Sequence, residues 1–314
     1  MKTPAASIIM RSFNEAWALR ETLPALRSQT LQPYELIVID SGSTDGSQDL
    51  IRAVQPDHFI QIEPQDYNPS RVMNNGMSLA RSEHCIFLNA DATPQHDRWL
   101  SNLVLALQQP GVGAVFGQQI PRPDCEAAFA CDYDRCFGPN RESAQWDHFF
   151  SMVSSGLRAR VWADLGGFRE DLQYAEDDDY TRRCKALGWA VRYVPDSVVM
   201  HSHNYTAEQA RKRAFGDAKA IGQAWSKPTH SFGWLRTVLL GTLSDLRHDL
   251  RFCLRHRRLR ELPHAAQIRV QQRLGRWQGF HAGYGAKAEE QRAKSRKCSG
   301  LSAQSANQIL RTEH

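Results

Sequence analysis

Five short, largely apolar runs alternate with helix-length segments through the first 120 residues: Ala6–Met10, Glu35–Asp40, His58–Ile62, His84–Asn89 and Val112–Ile120. Runs this short and this apolar are buried on both faces, which a chain achieves in a parallel sheet covered by helices. Between them, helices are expected from Asn14 through Trp17, Leu23 and Leu26, through Leu50 and Ile51, over Pro69–Arg81 and over Trp99–Leu107. Asn14 is a suitable cap for the first. The order implies an α/β fold with a mostly parallel central sheet, right-handed crossovers and helices on both faces. Ligands of such sheets bind beyond the carboxyl ends of the strands. The polar clusters of this chain fall at those ends.

The pattern lapses over residues 121–150, which are polar and aromatic and contain Pro121, Pro123, Gly138 and Pro139. A long loop is expected there. Order resumes with Arg160–Leu165, a turn at Gly166–Gly167, a helix from Glu176 to Leu187 and short strands at Ala190–Val194 and Ser197–Met200. The tail differs in charge. Residues 1–210 hold 18 Lys and Arg against 27 Asp and Glu, a balance of −9; residues 211–314 hold 21 against 7, a balance of +14. The division expected is one α/β domain over 1–210, a basic helical region over 211–298 and a disordered Ser/Lys/Gln-rich tail over 299–314. Leu235, Leu239, Leu243, Leu246, Leu250 and Leu254 recur at helical spacing beside Arg247, Arg251, Arg255 and Arg258. No uncharged apolar run is long enough to cross a bilayer, and Ala5–Met10 is too short for a secretory signal. The seven cysteines form no CxxC pair. Reduced thiols in a cytoplasmic protein are therefore expected.

Four clusters carry chemistry. Asp40 ends a buried run and precedes Ser41-Gly42-Ser43-Thr44-Asp45-Gly46. A carboxylate there could accept from a base NH or a ribose hydroxyl, or the segment could simply start a helix with Ser43 as cap. Asn89-Ala90-Asp91 ends the fourth run, where an acid could hold a hard cation that bridges phosphates, or merely open a polar loop. Glu176-Asp177-Asp178-Asp179 opens a helix, an end that favours acids. Successive side chains there are about 100° apart, so one or two could face the sheet end and serve as a general base. In His201-Ser202-His203, strand alternation puts both imidazoles on one side, where one could join the metal of Asp91.

Together these segments resemble the inverting family 2 glycosyltransferases of GT-A fold. The resemblance covers roughly residues 5–215. It runs through Ile8–Glu15 (IIMRSFNE), Ile37–Ser47 (IVIDSGSTDGS), Phe87–Asp91 (FLNAD), Gly166–Glu170 (GGFRE) and Ala175–Tyr180 (AEDDDY) in order. The bacterial rhamnosyltransferase branch is the most similar, through Ser70–Gly76 (SRVMNNG), Gly117–Arg122 (GQQIPR) and His201–Tyr205 (HSHNY). The resemblance implies roles. Asp40 would contact the donor base, and Asn14, Glu15, Ser41, Arg71 and Asn89 would help hold the donor. Asn89-Ala90-Asp91 stands where the family has DxD, leaving Asp91 as the metal carboxylate with His201 beside it and His203 less securely placed. The metal would be Mg²⁺ or Mn²⁺. Asp177 would be the catalytic base, with Gly166, Gly167, Phe168 and Glu176 on the acceptor side.

The activity so implied is transfer of a sugar, rhamnose from dTDP-rhamnose, from a nucleotide-sugar donor to a hydroxyl of a glycan or lipid-linked glycan acceptor. Lipopolysaccharide or another cell-surface polysaccharide would be the product class. Two other readings compete. A nucleotidyltransferase would want a Gly-rich basic first loop, whereas Arg11-Ser12-Phe13-Asn14-Glu15 has one basic residue and no glycine. A non-catalytic binding protein draws support from Asn89 but not from Asp91, Asp177 and His201. A dinucleotide oxidoreductase is disfavoured by the lack of GxGxxG after the first run. The basic tail lacks a nucleic-acid module. Its leucine and arginine stripes suit an anionic membrane surface, placing the protein peripherally on the inner face of the cytoplasmic membrane, or packing on the first domain or on a second copy.

Overall fold

The computed structural model describes residues 3–146, 148–224 and 233–309, with side chains up to residue 286 except at 224. Two compact units divide the chain, Met1–Asn204 and Tyr205–His314. The first is built in chain order from β1 (Ala6–Ser12), α1 (Ala16–Arg27), β2 (Tyr34–Asp40), α2 (Ser47–Val54), β3 (His58–Gln61), α3 (Pro69–Leu79), β4 (His84–Asn89) and β5 (Thr93–Pro94). There follow α4 (Trp99–Gln108), β6 (Val112–Ile120), α5 (Ala127–Phe137), β7 (Ser154–Arg158), α6 (Ala159–Asp164), α7 (Glu176–Ala186) and β8 (Ala190–Met200). The strands form one sheet in the order β3-β2-β1-β4-β7-β6-β8-β5.

β1 is parallel to β2 and β4, β2 to β3, and β6 to β8. β7 is antiparallel to both β4 and β6, so those two run the same way. Six strands therefore share one direction, and the carboxyl ends of β1, β2, β4, β6 and β8 open at a common edge. One core packs α1 and α4 on the sheet through Leu19, Leu23, Leu26, Trp99, Leu103 and Leu107. The other packs α3, α6 and α7 through Met73, Met77, Val161, Tyr180 and Cys184. Helices cover both faces, as the unbroken apolar runs require. Burying each such side chain is worth about 1.5–3 kcal/mol, so the sheet is a rigid base for the loops at its edge.

Three local expectations are revised. Asn14 does not cap α1: Glu15 is the N-cap residue, and Asn14 has φ 55°. The 121–150 stretch is not all loop, since α5 lies within it. The two short strands after 190 are one strand, β8, whose register with β6 shifts between Gly117 and Gln118. A Cβ on Gly117 would lie 2.4 Å from the Ser197 carbonyl oxygen, so the irregularity needs glycine.

The second unit contains α8 (Ala207–Ala224), a π-helical segment Leu235–Leu240, α9 (Gly241–His256) and α10 (Leu262–Ile309). Gly275, Gly279 and Gly283 of α10 lie against the carbonyls of Arg211, Phe215 and Lys219 of α8, at four-residue steps on both helices. The buried ion pair Asp249–Arg269 and the part-buried pair Asp245–Arg273 tie α9 to α10. The stretch from 299 expected to be disordered falls partly on α10 and, from 310, outside the described residues. Among the described residues, no helix is long and apolar enough to cross a membrane.

Candidate active site

The ends of β1 and β2 are stitched together first. Asp40 ends β2 fully buried. Its Oδ1 accepts from the amides of Gly42 and Ser43 and from Gln48 Nε2, and its Oδ2 accepts from Ser43 Oγ. Three of these donors meet Oδ1 and one meets Oδ2, so the loop and Gln48 hold the Asp40 carboxylate in place. Asn14 Oδ1 accepts from the Thr44 amide. Asp45 Oδ2 accepts from the Ala16 amide, and Ser47 Oγ from the Glu15 amide. The Ser/Asp cluster thus caps α1 from across the loop, which satisfies donors that Asn14 was expected to serve.

A cavity of about 340 Å³ opens above this stitch, lined by Arg11, Ser12, Phe13, Glu15, Ser41, Pro64, Tyr67 and Asn89. Of the donor-side residues expected from sequence, Glu15, Ser41 and Asn89 line it; Asn14, Asp40 and Arg71 do not. Asn89 Oδ1 accepts from Arg11 Nη2 at 2.9 Å, which fixes the position where an acid would begin a DxD. Burial, then the nearby Asp91 charge, push the Glu15 carboxyl up to about 8. Glu15 Oε2 is buried with no hydrogen-bond partner.

Asp91 lies two residues past β4, 1% exposed. His203 Nε2 is 3.0 Å and His201 Nε2 3.5 Å from its Oδ2. Ligand atoms of the three residues lie within 4.8 Å of one another. Burial opposes the Asp91 charge, but the His203 hydrogen bond and the two imidazole charges outweigh it and hold the carboxyl below its usual value. One carboxylate and two imidazoles make a mixed oxygen and nitrogen donor set able to hold a divalent metal ion. The buried Asp91 Oδ1, which has no hydrogen-bond partner, fits that donor set. Both imidazoles thus lie beside Asp91, where strand alternation put them on one side and only His201 was expected at the metal.

Sequence reasoning assigned no role to the residues behind this cluster. Gln119 Oε1 lies 2.9 Å and Tyr133 Oη 3.0 Å from His201 Nδ1. A carbonyl oxygen only accepts, so Nδ1 carries a proton and Nε2 is the nitrogen that faces Asp91. Gln119 Nε2 in turn donates to Ser151 Oγ. Arg122 Nη2 donates to the Asp91 carbonyl at 2.8 Å, with its guanidinium over the Trp17 ring. Gln119 and Arg122 stand in the GQQIPR segment, so a signal was present; Tyr133 lies on the unforeseen α5.

α7 begins after Ala175, at φ 59°. Asp178 and Asp179 pair with Arg182 and Arg183 one turn on, at 2.8 Å each. Asp177 Oδ1 accepts from the Asp178 amide, and Glu176 is half-buried beside it. Asn74 of α3 grips the turn before α7. Its Oδ1 accepts from the Phe168 amide and Trp162 Nε1, and its Nδ2 donates to the Phe168 carbonyl. A Cβ on Gly167 would meet Asn74 Oδ1 at 2.8 Å, and Gly166 and Gly167 both have positive φ. Arg71 reaches Glu170 at 3.3 Å, tying α3 to the same turn. The Phe168 ring is 2% exposed against Phe87 and Tyr180, so its side chain belongs to the core.

The chain is similar to known proteins in sequence and in fold. The model of Glycosyl transferase family 2 matches residues 7–161. The O-antigen chain rhamnosyltransferase WbaN of Salmonella anatum is 29% identical over 225 residues, which is 68% of this chain and 70% of that protein. RfbN, an O-antigen chain rhamnosyltransferase of Salmonella typhimurium, is 29% identical over 223 residues, 67% of this chain and 70% of its own. The solved mannosyltransferase PcManGT of Pyrobaculum calidifontis, in complex with GDP-Man and Mn²⁺, superposes with a TM-score of 0.56 at 22% identity. The superposition covers 92% of this chain and 87% of that one. That likeness is one of fold: the first unit has the GT-A architecture.

Proposed function

From a chain that belongs to glycosyl transferase family 2 through residues 7–161, we infer an inverting transferase that moves rhamnose from dTDP-rhamnose to a glycan or lipid-linked glycan hydroxyl. The observation that carries the transferase chemistry is the Asp91, His201 and His203 cluster at the strand edge that also forms the cavity. Two O-antigen rhamnosyltransferases among the relatives support the sugar and the class of product. The acceptor is membrane-borne, so the enzyme works peripherally at the inner face of the cytoplasmic membrane.

In this reading Glu15, Ser41 and Asn89 line the donor cavity, Asp40 and Asn14 brace the loop beneath it, and Arg71 stands outside its lining. Asp91, His201 and His203 would hold Mn²⁺ or Mg²⁺. When bound, the metal supplies charge neutralisation to the departing nucleoside diphosphate. Asp177 takes the proton from the acceptor hydroxyl as its oxygen bonds to the anomeric carbon and the bond to phosphate oxygen breaks. One displacement inverts the configuration, and the base contributes about 10²–10⁴-fold. Gly166, Gly167 and Glu176 border the acceptor side. The first test is calorimetry of dTDP-rhamnose with and without Mn²⁺. Asp91→Ala is expected to abolish the Mn²⁺-dependent gain in affinity; an unchanged gain in the variant contradicts the metal role.

A further inference from the structure

Among the described residues, the second unit carries a run of large apolar side chains that stand exposed. Trp234, Leu235, Leu239, Leu240, Leu243, Leu250, Leu254 and Leu259 are each 44–59% exposed. Along α9 at 100° per residue, Leu243, Leu250 and Leu254 fall on one line. The buried residues Thr242, Asp245, Asp249 and Cys253 fall on another. The leucine line is therefore an outer surface, not the seam to α10.

Charge sharpens the picture. Arg247, Arg251 and Arg255 flank the leucine line on one side, and Arg236, Arg257 and Arg260 extend the exposed cations at its ends. The acids between residues 233 and 260 are Asp245 and Asp249. Both are buried, paired with Arg273 and Arg269. Residues 233–260 thus carry six exposed arginines and no exposed carboxylate, and the next acid, Glu261, pairs with Arg258.

We propose that this face of α9 and the π-helical segment before it seats on an anionic bilayer surface, naming the partner behind the membrane location inferred above. The leucines enter the boundary between headgroups and acyl chains, and the arginines lie where phosphate groups are. Long arginine stems keep their charge in the headgroup layer while their methylenes follow the leucines down. A second copy of the chain fits less well. A two-fold contact through the same face would bring two arginine-rich surfaces together with no exposed carboxylate from residues 233–260 between them. A nucleic-acid strand would meet the cations but leave the leucine line in water.

The test is flotation of the full chain with vesicles of phosphatidylcholine alone and of phosphatidylcholine with about 30% phosphatidylglycerol at physiological salt. The protein is expected to float with the anionic vesicles and to remain largely behind with the neutral ones. The triple variant Leu243→Ser, Leu250→Ser and Leu254→Ser changes exposed positions and should keep its melting temperature and its affinity for nucleotide sugar. Its vesicle-bound fraction should fall by about tenfold or more. Arg247→Glu, Arg251→Glu and Arg255→Glu together should remove the preference for anionic vesicles. Equal flotation of the parent and the leucine variant overturns the proposal. So does a parent that forms a dimer by light scattering, fails to float, and becomes monomeric with the leucine changes. Docking needs no turnover, so a failed transfer assay and a failed flotation are separate results.

Discussion

His201 shows how far one side chain depends on its surroundings. Its Nδ1 meets Gln119 Oε1, which leaves Nε2 to face Asp91. Gln119→Leu keeps the volume and removes the acceptor, so it should weaken Mn²⁺ binding by about 10–100-fold. Calorimetry reads that loss, while Gln119→Glu, which retains an acceptor, should restore much of it. Equal affinity in Gln119→Leu and the parent removes this positioning role. Glu15 gives a pH signature. Its folded value of about 8 lies above the ordinary 4.5. The folded state therefore holds the proton that the unfolded chain releases, and stability from this group fades as pH rises between those values. Glu15→Gln should thus gain melting temperature over the parent at pH 9 and gain little at pH 4, as thermal denaturation would show; a gain independent of pH contradicts the assignment. The His-X-His pair and Asp91 were legible because strand alternation and a strand end fix where they point. The donors that hold Asp40 were not, because a sequence does not display which loop donors turn back on a carboxylate.

At the scale of elements, the parallel strands were readable and the antiparallel one was not. β7 is Ser-Ser-Gly-Leu-Arg, too small and polar to register as a buried run, yet all five residues are buried between β4 and β6. Pairing on both sides overrides its weak strand propensity. α5 was missed for a similar reason: its acids and cysteines hide the helical period, although Ala127–Cys131 are buried. The turn before α7 depends on α3, and Asn74 carries that link. Asn74→Ala would leave the Trp162 Nε1–H and Phe168 N–H without their acceptor and should cost about 2–4 kcal/mol. Urea denaturation measures it. The same variant should raise KM for the acceptor, since Gly166 and Gly167 lose their anchor; full stability with unaltered kinetics rules the link out.

Over the whole molecule, the formal charge of +5 averages two unlike parts. The acidic first part holds the metal-type cluster and the acids at the start of α7. The basic second part is helical, with its few acids on α9 turned inward to arginines. The tail's leucine period was visible in the sequence, but which face of the helix is buried depends on Asp245 and Asp249 finding Arg273 and Arg269, partners more than 15 residues away that periodicity does not reveal. The most direct test of the transferase account follows release of dTDP from dTDP-rhamnose by the purified chain with Mn²⁺, in the presence of a lipid-linked glycan acceptor, for the parent and for Asp177→Asn. The expected result is Mn²⁺-dependent release by the parent and a loss of turnover of at least about 10²-fold in Asp177→Asn, with donor affinity retained. Release at the parental rate by Asp177→Asn, or no release by the parent from dTDP-rhamnose or any other nucleotide sugar, would contradict it.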